Sequence, residues 1–133
     1  MKIVTIIGAR PQFIKASVIS DRIKSKYKSL IEIIVHTGQH FEKNMSQIFF
    51  DEMDLPKPKY NLNVNNMKYG KMIHSMVKKI IPILEKERAD AILVYGDTNS
   101  TLAGSISGKL SKIPVFHIEA GLRSHDRSMP EEN

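Results

Sequence analysis

The chain has 133 residues and a net charge of +6, and its 41% hydrophobic and 26% charged residues are ordinary proportions for one globular domain. Cysteine is absent, which excludes disulfides and thiolate metal sites and fits a reducing cytoplasm. The basic residues are spread along the chain without the interleaved aromatics of a nucleic-acid surface, and no apolar stretch approaches the ~20 residues of a membrane span. We therefore expect a cytoplasmic protein that binds neither nucleic acid nor membrane, with the positive charge suited to a phosphate-bearing ligand.

Strand-like and helix-like segments alternate along the chain. Apolar runs predict strands at residues 3–7, 31–35, 91–95 and 115–118, with a further short strand near residues 60–62. Continuous apolar strands separated by helices are typical of a parallel sheet with helices on both faces. Right-handed crossovers then place every strand-to-helix loop at one edge of that sheet. The predicted fold class is therefore α/β, with a Rossmann-like parallel sheet.

Helical spacing of apolar residues predicts four helices between these strands. The first helix begins at Pro11, which suits a first helical turn. The other three cover residues 42–53, 69–86 and 98–110. Pro82 is expected to kink the third helix or divide it in two. The small residues of the fourth helix predict close packing on the sheet. The apolar face of the first helix is predicted to consist of Phe13, Ile14, Ala16, Val18, Ile19 and Ile23.

Four polar loops that each contain a glycine follow the predicted strands. They cover residues 8–12, 37–40, 96–101 and 119–123. Each loop alone is consistent with a simple turn, but four in succession, at the edge where open α/β sheets bind ligands, favour a ligand site. The first loop lacks the Gly-x-Gly-x-x-Gly pattern, so no dinucleotide cofactor is expected.

Three residues in these loops are candidates for chemistry. Arg10 lies at a helix N-terminus, where a cation opposes the helix dipole; a phosphate partner explains this, and a solvated arginine is the alternative. Asp97 precedes a helix and is either its N-cap or a site residue, or both. Glu119 ends an apparently buried strand, so we expect a poorly solvated carboxylate with a raised pKa; the alternative is a salt bridge to Arg123.

Two further features concern metal binding and the end of the chain. His36 and His40 straddle a strand end and a glycine turn, so their spacing does not predict a metal pair. The last residues form a loop in which Glu131 and Glu132 lie near arginines, as in active-site loops of α/β enzymes. Such a loop needs downstream structure, so we expect the chain to be the N-terminal part of a larger enzyme.

Five segments together resemble the non-hydrolysing UDP-N-acetylglucosamine 2-epimerases. They read GARPQFIK at 8–15, TGQH at 37–40, GDTNST at 96–101, HIEAGLRS at 117–124 and MPEEN at 129–133. The resemblance implies a glycosyltransferase-B-type fold of two Rossmann-like domains with the ligand between them. Residues 1–133 would then be an incomplete N-terminal domain without the C-terminal nucleotide-binding domain, inactive alone.

The same resemblance implies an activity. The family interconverts UDP-N-acetylglucosamine and UDP-N-acetylmannosamine by eliminating UDP to give 2-acetamidoglucal and adding it back. It implies a cytoplasmic isomerase, a homodimer at full length, that uses no cofactor or metal and supplies nucleotide sugars for surface polysaccharide synthesis.

The resemblance also implies roles for individual residues. Asp97, Glu119 and Glu131 would be the acid/base carboxylates, and Arg10 would bind the diphosphate. The other implied substrate-binding residues are Gln39, His40 and Arg123.

One departure from the family pattern leaves the substrate open. Many members have Glu where this chain has Gln12, and the Gln form also occurs in relatives that act on UDP-2,3-diacetamido-glucuronic acid. The Pro11-Gln12-Phe13 sequence argues against the hydrolysing branch. The remaining alternatives are a glycosyltransferase of the same fold and a non-catalytic nucleotide-sugar binding module.

Overall fold

The structure is a computed structural model that describes residues 1–38, 51–52, 56–129 and 132. Its centre is a five-stranded, entirely parallel sheet with the order β3-β2-β1-β4-β5. The strands are β1 (Lys2–Ile7), β2 (Ile31–His36), β3 (Tyr60–Asn61), β4 (Ala91–Tyr95) and β5 (Val115–Ile118). The helices between them are α1 (Arg10–Lys26), α2 (Tyr69–Glu87) and α3 (Asn99–Leu110). The predicted α/β class and parallel sheet are confirmed.

Apolar side chains cover both faces of the sheet, as predicted. Alternate residues of β1 point to opposite faces, so Val4 and Ile6 pack with buried residues of α2, while Ile3 and Ile7 pack under α1 with Phe13. Helices on both faces bury the centre of the sheet, so the polar loops that follow the strands are the part accessible to a ligand. None of the described helices is both long enough and apolar enough to span a membrane.

Close packing of α3 on the sheet is confirmed at Gly104. A Cβ atom at this position would lie 2.7 Å from Cγ1 of Val94, so a larger side chain would push the helix away from β4. Helix α2 runs as one helix through Pro82, so the alternative that Pro82 divides it is wrong, and the kink stays a prediction. The other helix ends agree with the sequence within one or two residues.

Two expectations about burial are wrong. The sequence predicts Ile14 and Val18 on the inner face of α1, yet they are 47% and 68% exposed, because only a narrow stripe of α1 meets the sheet. Strand β5 was expected to be buried, but it lies at the edge of the described sheet and Phe116 is 55% exposed. The predicted helix at residues 42–53 lies mostly outside the described residues.

Candidate functional site

The loops that follow β1 and β4 lie side by side at the carboxyl edge of the sheet. From β1 the chain crosses to β2 on one side, whereas from β4 it crosses to β5 on the other. Adjacent strands whose connections leave in opposite directions open a crevice between their loops, which is where open α/β sheets bind ligands. Arg10 and Asp97 lie in these two loops, as the sequence predicts.

The first loop places Arg10 at the start of α1. Arg10 is exposed, and Pro11 occupies the first helical turn, as predicted. Behind it, the side chain of Gln12 is buried and forms hydrogen bonds with both the first loop and the Asp97 loop. The N-terminus of α1 therefore presents the Arg10 guanidinium and the positive end of the helix dipole at the crevice, which suits an anion, while the N–H groups of Gly8 and Ala9 bond with Oε1 of Gln12.

The second loop presents Asp97 at the surface rather than as a helix cap. Thr98 is the N-cap of α3, and its backbone N–H donates to Oγ1 of Thr101 at 3.3 Å. The alternative that Asp97 is the N-cap is therefore wrong. Gly96, with φ of +65°, turns the chain sharply before Asp97, which leaves this carboxylate exposed and facing a cavity.

The environment of Glu119 differs from the expectation. Its side chain is 38% exposed instead of poorly solvated, and its carboxylate pairs with the ammonium group of Lys15 rather than with Arg123. Glu119 also has φ of +62°, a left-handed conformation that is uncommon for residues other than glycine. Lys15 was not predicted as a site residue, because nothing local in the sequence indicates a pair that joins α1 to the end of β5.

Arg123 is held by a different carboxylate, that of Glu132. Its guanidinium donates to both carboxylate oxygens, with Nε to Oε1 at 3.1 Å and Nη2 to Oε2 at 2.6 Å. The backbone N–H of Ser124 also donates to Oε1, at 2.8 Å. These bonds, chiefly that from Arg123, lower the pKa of Glu132 to about 2, and the same pairing raises the pKa of Arg123. Glu132 is therefore an ionised anchor, unsuited to proton transfer near neutral pH.

A cavity of about 470 Å³ lies between the loop after β4, with the start of α3, and the segment after β5; among the described residues, none of the loop after β1 lines it. Among the described residues its lining includes Asp97, Glu119 and Arg123, three of the residues predicted from the sequence. His117 also lines it, with Nε2 2.5 Å from the carbonyl oxygen of Gly96, so this nitrogen is the protonated one. Apolar side chains of the wall include Leu102 and Leu122. The cavity thus combines two carboxylates, a guanidinium and an imidazole with an apolar surface.

The loop after β2 is anchored beside this region. His36 stacks on Phe13 with ring centroids 5.3 Å apart, and its Nδ1 accepts the N–H of Gly38 at 3.0 Å. Burial lowers the pKa of His36 to about 4, against the effect of a hydrogen bond with Asn61, so the imidazole is neutral at physiological pH. Thr37 and Ser100 join this loop to α3 through a buried hydroxyl contact of 2.8 Å. The predicted site residues Gln39, His40 and Glu131 lie outside the described residues.

Two other contributors to this region were not assigned from the sequence. Gln12 follows the first loop at the third helical position, where Glu and Gln commonly bond back to the preceding backbone, and this signal was available. His117 precedes Glu119 on β5, and only the tertiary structure shows its contact with Gly96. Across the described part of the chain, no three His, Cys, Asp or Glu side chains are grouped so as to hold a metal ion.

Comparison with known proteins agrees with this geometry. A family model described as UDP-N-acetylglucosamine 2-epimerase matches residues 23–133. A UDP-N-acetylglucosamine 2-epimerase homolog of Methanococcus maripaludis is 54% identical over 132 residues, covering 99% of this chain and 36% of that protein. The UDP-2,3-diacetamido-2,3-dideoxy-D-glucuronate 2-epimerase of Pseudomonas aeruginosa is also 54% identical over 132 residues, covering 99% of this chain and 37% of that protein.

A solved structure matches the fold as well. The UDP-GlcNAc 2-epimerase of Methanocaldococcus jannaschii, crystallised with UDP-GlcNAc and UDP, has a TM-score of 0.92 and 45% identity over 99% of this chain and 36% of that chain. The chain thus spans a little over one third of the length of these relatives. The match confirms the expected glycosyltransferase-B-type fold class, and together with the family model it shows that the chain belongs to the UDP-N-acetylglucosamine 2-epimerase family.

Proposed function

We propose that residues 1–133 are the incomplete N-terminal Rossmann-like domain of a non-hydrolysing UDP-sugar 2-epimerase, with a C-terminal nucleotide-binding domain outside this sequence. The observation that carries the proposal is the single cavity whose lining includes Asp97, Glu119 and Arg123. Inversion at C2 of a sugar requires a proton to leave one face and to return on the other. Two carboxylates at one cavity supply the two proton-transfer groups that such a reaction needs.

The proposed reaction eliminates UDP and adds it back. A carboxylate removes the proton from C2, a double bond forms between C1 and C2, and the bond from C1 to the diphosphate oxygen breaks, with its electron pair leaving on UDP. The product, 2-acetamidoglucal, is then protonated at C2 from the opposite face while UDP attacks C1. The C1–O bond re-forms with UDP, and the hydrogen that C2 loses to one carboxylate is replaced by one from the opposite face, so the net reaction is an isomerisation without a cofactor.

The charge that develops on departing UDP needs cationic partners. Within the proposal, Arg10 at the N-terminus of α1 binds the diphosphate, because the helix dipole also favours an anion there. Arg123 lines the cavity, and its contact with Glu132 fixes its orientation. Glu131 completes the proposed acid/base set, and Gln39 and His40 complete the substrate-binding set.

UDP-N-acetylglucosamine is the proposed substrate, and UDP-2,3-diacetamido-glucuronic acid is the alternative. The family model and the Methanocaldococcus structure support the first, since both carry the name of that epimerase. The Pseudomonas relative supports the diacetamido-glucuronate substrate, because its sequence identity to this chain, 54%, is the same as that of the Methanococcus relative. Within the proposal, the full-length protein is a cytoplasmic homodimer that supplies nucleotide sugars for surface polysaccharide synthesis.

The experiment is turnover of each candidate UDP-sugar by the purified full-length protein in D₂O. We expect UDP-N-acetylglucosamine and UDP-N-acetylmannosamine to interconvert and deuterium to appear at C2 of the product, both followed by NMR. Faster epimerisation of the diacetamido-glucuronate substrate would select the alternative. Sugar transfer to an added acceptor, or binding of UDP-sugar without turnover, would contradict the epimerase and indicate a glycosyltransferase or a binding module.

A further inference from the structure

We propose that Gln12 is a positioning residue that holds the loop bearing Arg10 and the loop bearing Asp97 in a fixed arrangement at the switch point of the sheet. This inference rests on the proposed function, because it gives Gln12 a part in the reaction without contact with the substrate. The residue is only 2% exposed, and its carboxamide reaches both loops.

The side-chain oxygen of Gln12 binds the loop that follows β1. Oε1 accepts hydrogen bonds from the backbone N–H groups of Gly8 at 2.8 Å and Ala9 at 3.0 Å. These residues directly precede α1, and N–H groups at a helix start have no partner within the helix. The two bonds therefore fix the backbone immediately ahead of Arg10.

The side-chain nitrogen of Gln12 binds the loop that follows β4. Nε2 donates to the carbonyl oxygen of Tyr95 and to Oγ1 of Thr98, both at 2.8 Å, and lies 3.2 Å from Oγ1 of Thr101. Tyr95 and Thr98 stand on either side of Asp97 in the sequence. One amide group thus constrains the backbone both before and after the proposed acid/base carboxylate.

These partners fix the orientation of the carboxamide and explain why the residue is an amide. Two backbone N–H groups require an acceptor on one side, and the carbonyl oxygen of Tyr95 requires a donor on the other. The hydroxyl of Thr101 also binds that carbonyl oxygen, at 2.6 Å, which holds the same point from a second direction. A carboxylate supplies only the acceptor half of this arrangement, and a thioether supplies a weak acceptor and no donor.

Gln12 acts where the backbone pairing between the two strands ends. In the described sheet the pairs between β1 and β4 run from Ile3 with Ala91 to Thr5 with Leu93. Beyond them the two strand ends lead into the separate loops, and the side chain of Gln12 links these loops instead. Displacing a reacting group by about 1 Å can cost about a hundredfold in rate, so this link bears on catalysis.

The test uses Gln12→Met and Gln12→Glu in the full-length protein. We expect Gln12→Met to lower kcat per folded molecule about 10-fold to 100-fold while UDP affinity stays within about threefold, because Arg10 remains at the helix start. Gln12→Glu keeps the bonds from Gly8 and Ala9 and should recover part of kcat. The matched control is Ser20→Ala, which removes a buried polar group, 1% exposed, from the same helix at about 12 Å along its axis.

A double-mutant cycle with Asp97→Asn separates positioning from a merely structural role. If Gln12 acts through Asp97, Gln12→Met should cost little further rate once Asp97 is already changed. Full multiplication of the two losses, or an unchanged kcat in Gln12→Met, would overturn the proposal. Hydrogen exchange of backbone amides 96–99 gives a readout independent of turnover: faster exchange in Gln12→Met supports the link, and unchanged exchange overturns it. An inactive wild-type protein would refute the proposed function alone, and the exchange result would still decide the link between the loops.

Discussion

The ammonium group of Lys15 on α1 forms an ion pair with the carboxylate of Glu119, which follows β5. The pair joins the helix that begins at Arg10 to a carboxylate of the cavity, across 104 positions of sequence. Glu119 adopts a left-handed backbone conformation, which non-glycine residues retain only where their surroundings hold them. The ion pair therefore restrains the direction of a proposed acid/base group.

Loss of this restraint should lower activity more than stability. Both side chains are more than one third exposed, at 37% and 38%, and exposed ion pairs contribute little to folding. We expect Lys15→Met in the full-length protein to reduce kcat by about 10-fold to 100-fold, because Glu119 is no longer held in place. Steady-state kinetics and thermal unfolding of the same preparation measure the two effects.

Lys24→Met is the matched control for Lys15→Met. It removes the same charge from an exposed position of the same helix, about 13 Å further along the axis. That distance exceeds the screening length of about 8 Å at physiological salt, so kcat should be unchanged. Equal losses in both variants would mean that net charge, and not the contact with Glu119, determines the rate.

The three proposed acid/base carboxylates should each be essential. Asp97→Asn, Glu119→Gln and Glu131→Gln should each lower the rate of the full-length enzyme by about 10²–10⁴ without unfolding it. Rates measured by NMR in D₂O and circular dichroism of each variant test this. A variant with a near-normal rate would remove that residue from the mechanism.

Arg10 should contribute to the reaction and not to the fold. We expect Arg10→Ala to cost roughly 2–4 kcal/mol in transition-state terms, as for loss of a charge-assisted phosphate contact. Thermal stability should change little, since a cation at a helix N-terminus does not stabilise the helix. Arg10→Lys should recover only part of the rate, because an ammonium group lacks the planar fork of a guanidinium. Unfolding of Arg10→Ala, with normal kinetics in its folded fraction, would show a structural role instead.

Glu87 should make stability depend on pH in the acid range. Its Oε1 lies 2.6 Å from Nζ of Lys59 and accepts the hydroxyl of Tyr60 at 2.5 Å. These two contacts, Lys59 first, lower the pKa of Glu87 to about 2 from an ordinary value of 4.5. As the pH falls, Glu87 therefore takes up a proton at a lower pH in the folded state than in the unfolded state. The stabilisation is complete above about pH 4.5 and is lost as the pH falls towards about 2.

Glu87→Gln isolates this contribution. The variant should unfold at a lower temperature than the wild type at neutral pH, and the difference should shrink as the pH falls through the window between about 4.5 and about 2. Glu132 titrates over a similar range and is unchanged in both proteins, so their difference reports Glu87. The exposed neighbour Glu85, changed to Gln, is the control. A constant difference at every pH would contradict the assignment.

Residues 1–133 alone should not epimerise either UDP-sugar. Asp97, Glu119 and Arg123 in the cavity wall are all exposed to solvent, and elimination chemistry benefits from exclusion of water. NMR of the purified fragment with each UDP-sugar checks this, with the full-length protein as the positive control. Turnover by the fragment would show that the proposed C-terminal domain is dispensable for the reaction.

The sequence by itself determined the order of strands and helices and the edge at which the polar loops meet. Apolar runs and helical spacing are local properties, and right-handed crossovers between parallel strands then direct all these loops to one edge. Arg10, Asp97 and Glu119 were predicted on this basis, and the structure places them at that edge. Their roles, argued from their positions in the loops and from the family resemblance, stay predictions.

Only the tertiary structure decided which side chains pair and which are buried. Glu119 was weighed as a partner of Arg123, four positions away, but it pairs with Lys15, and Arg123 pairs with Glu132. A long charged side chain pairs with an oppositely charged group that the packed helices and strands bring close to it. The number of residues between two charged groups does not predict how far apart they lie in the folded protein. The same holds for Gln12, which is buried because the α1 start and the loop after β4 meet at the switch point.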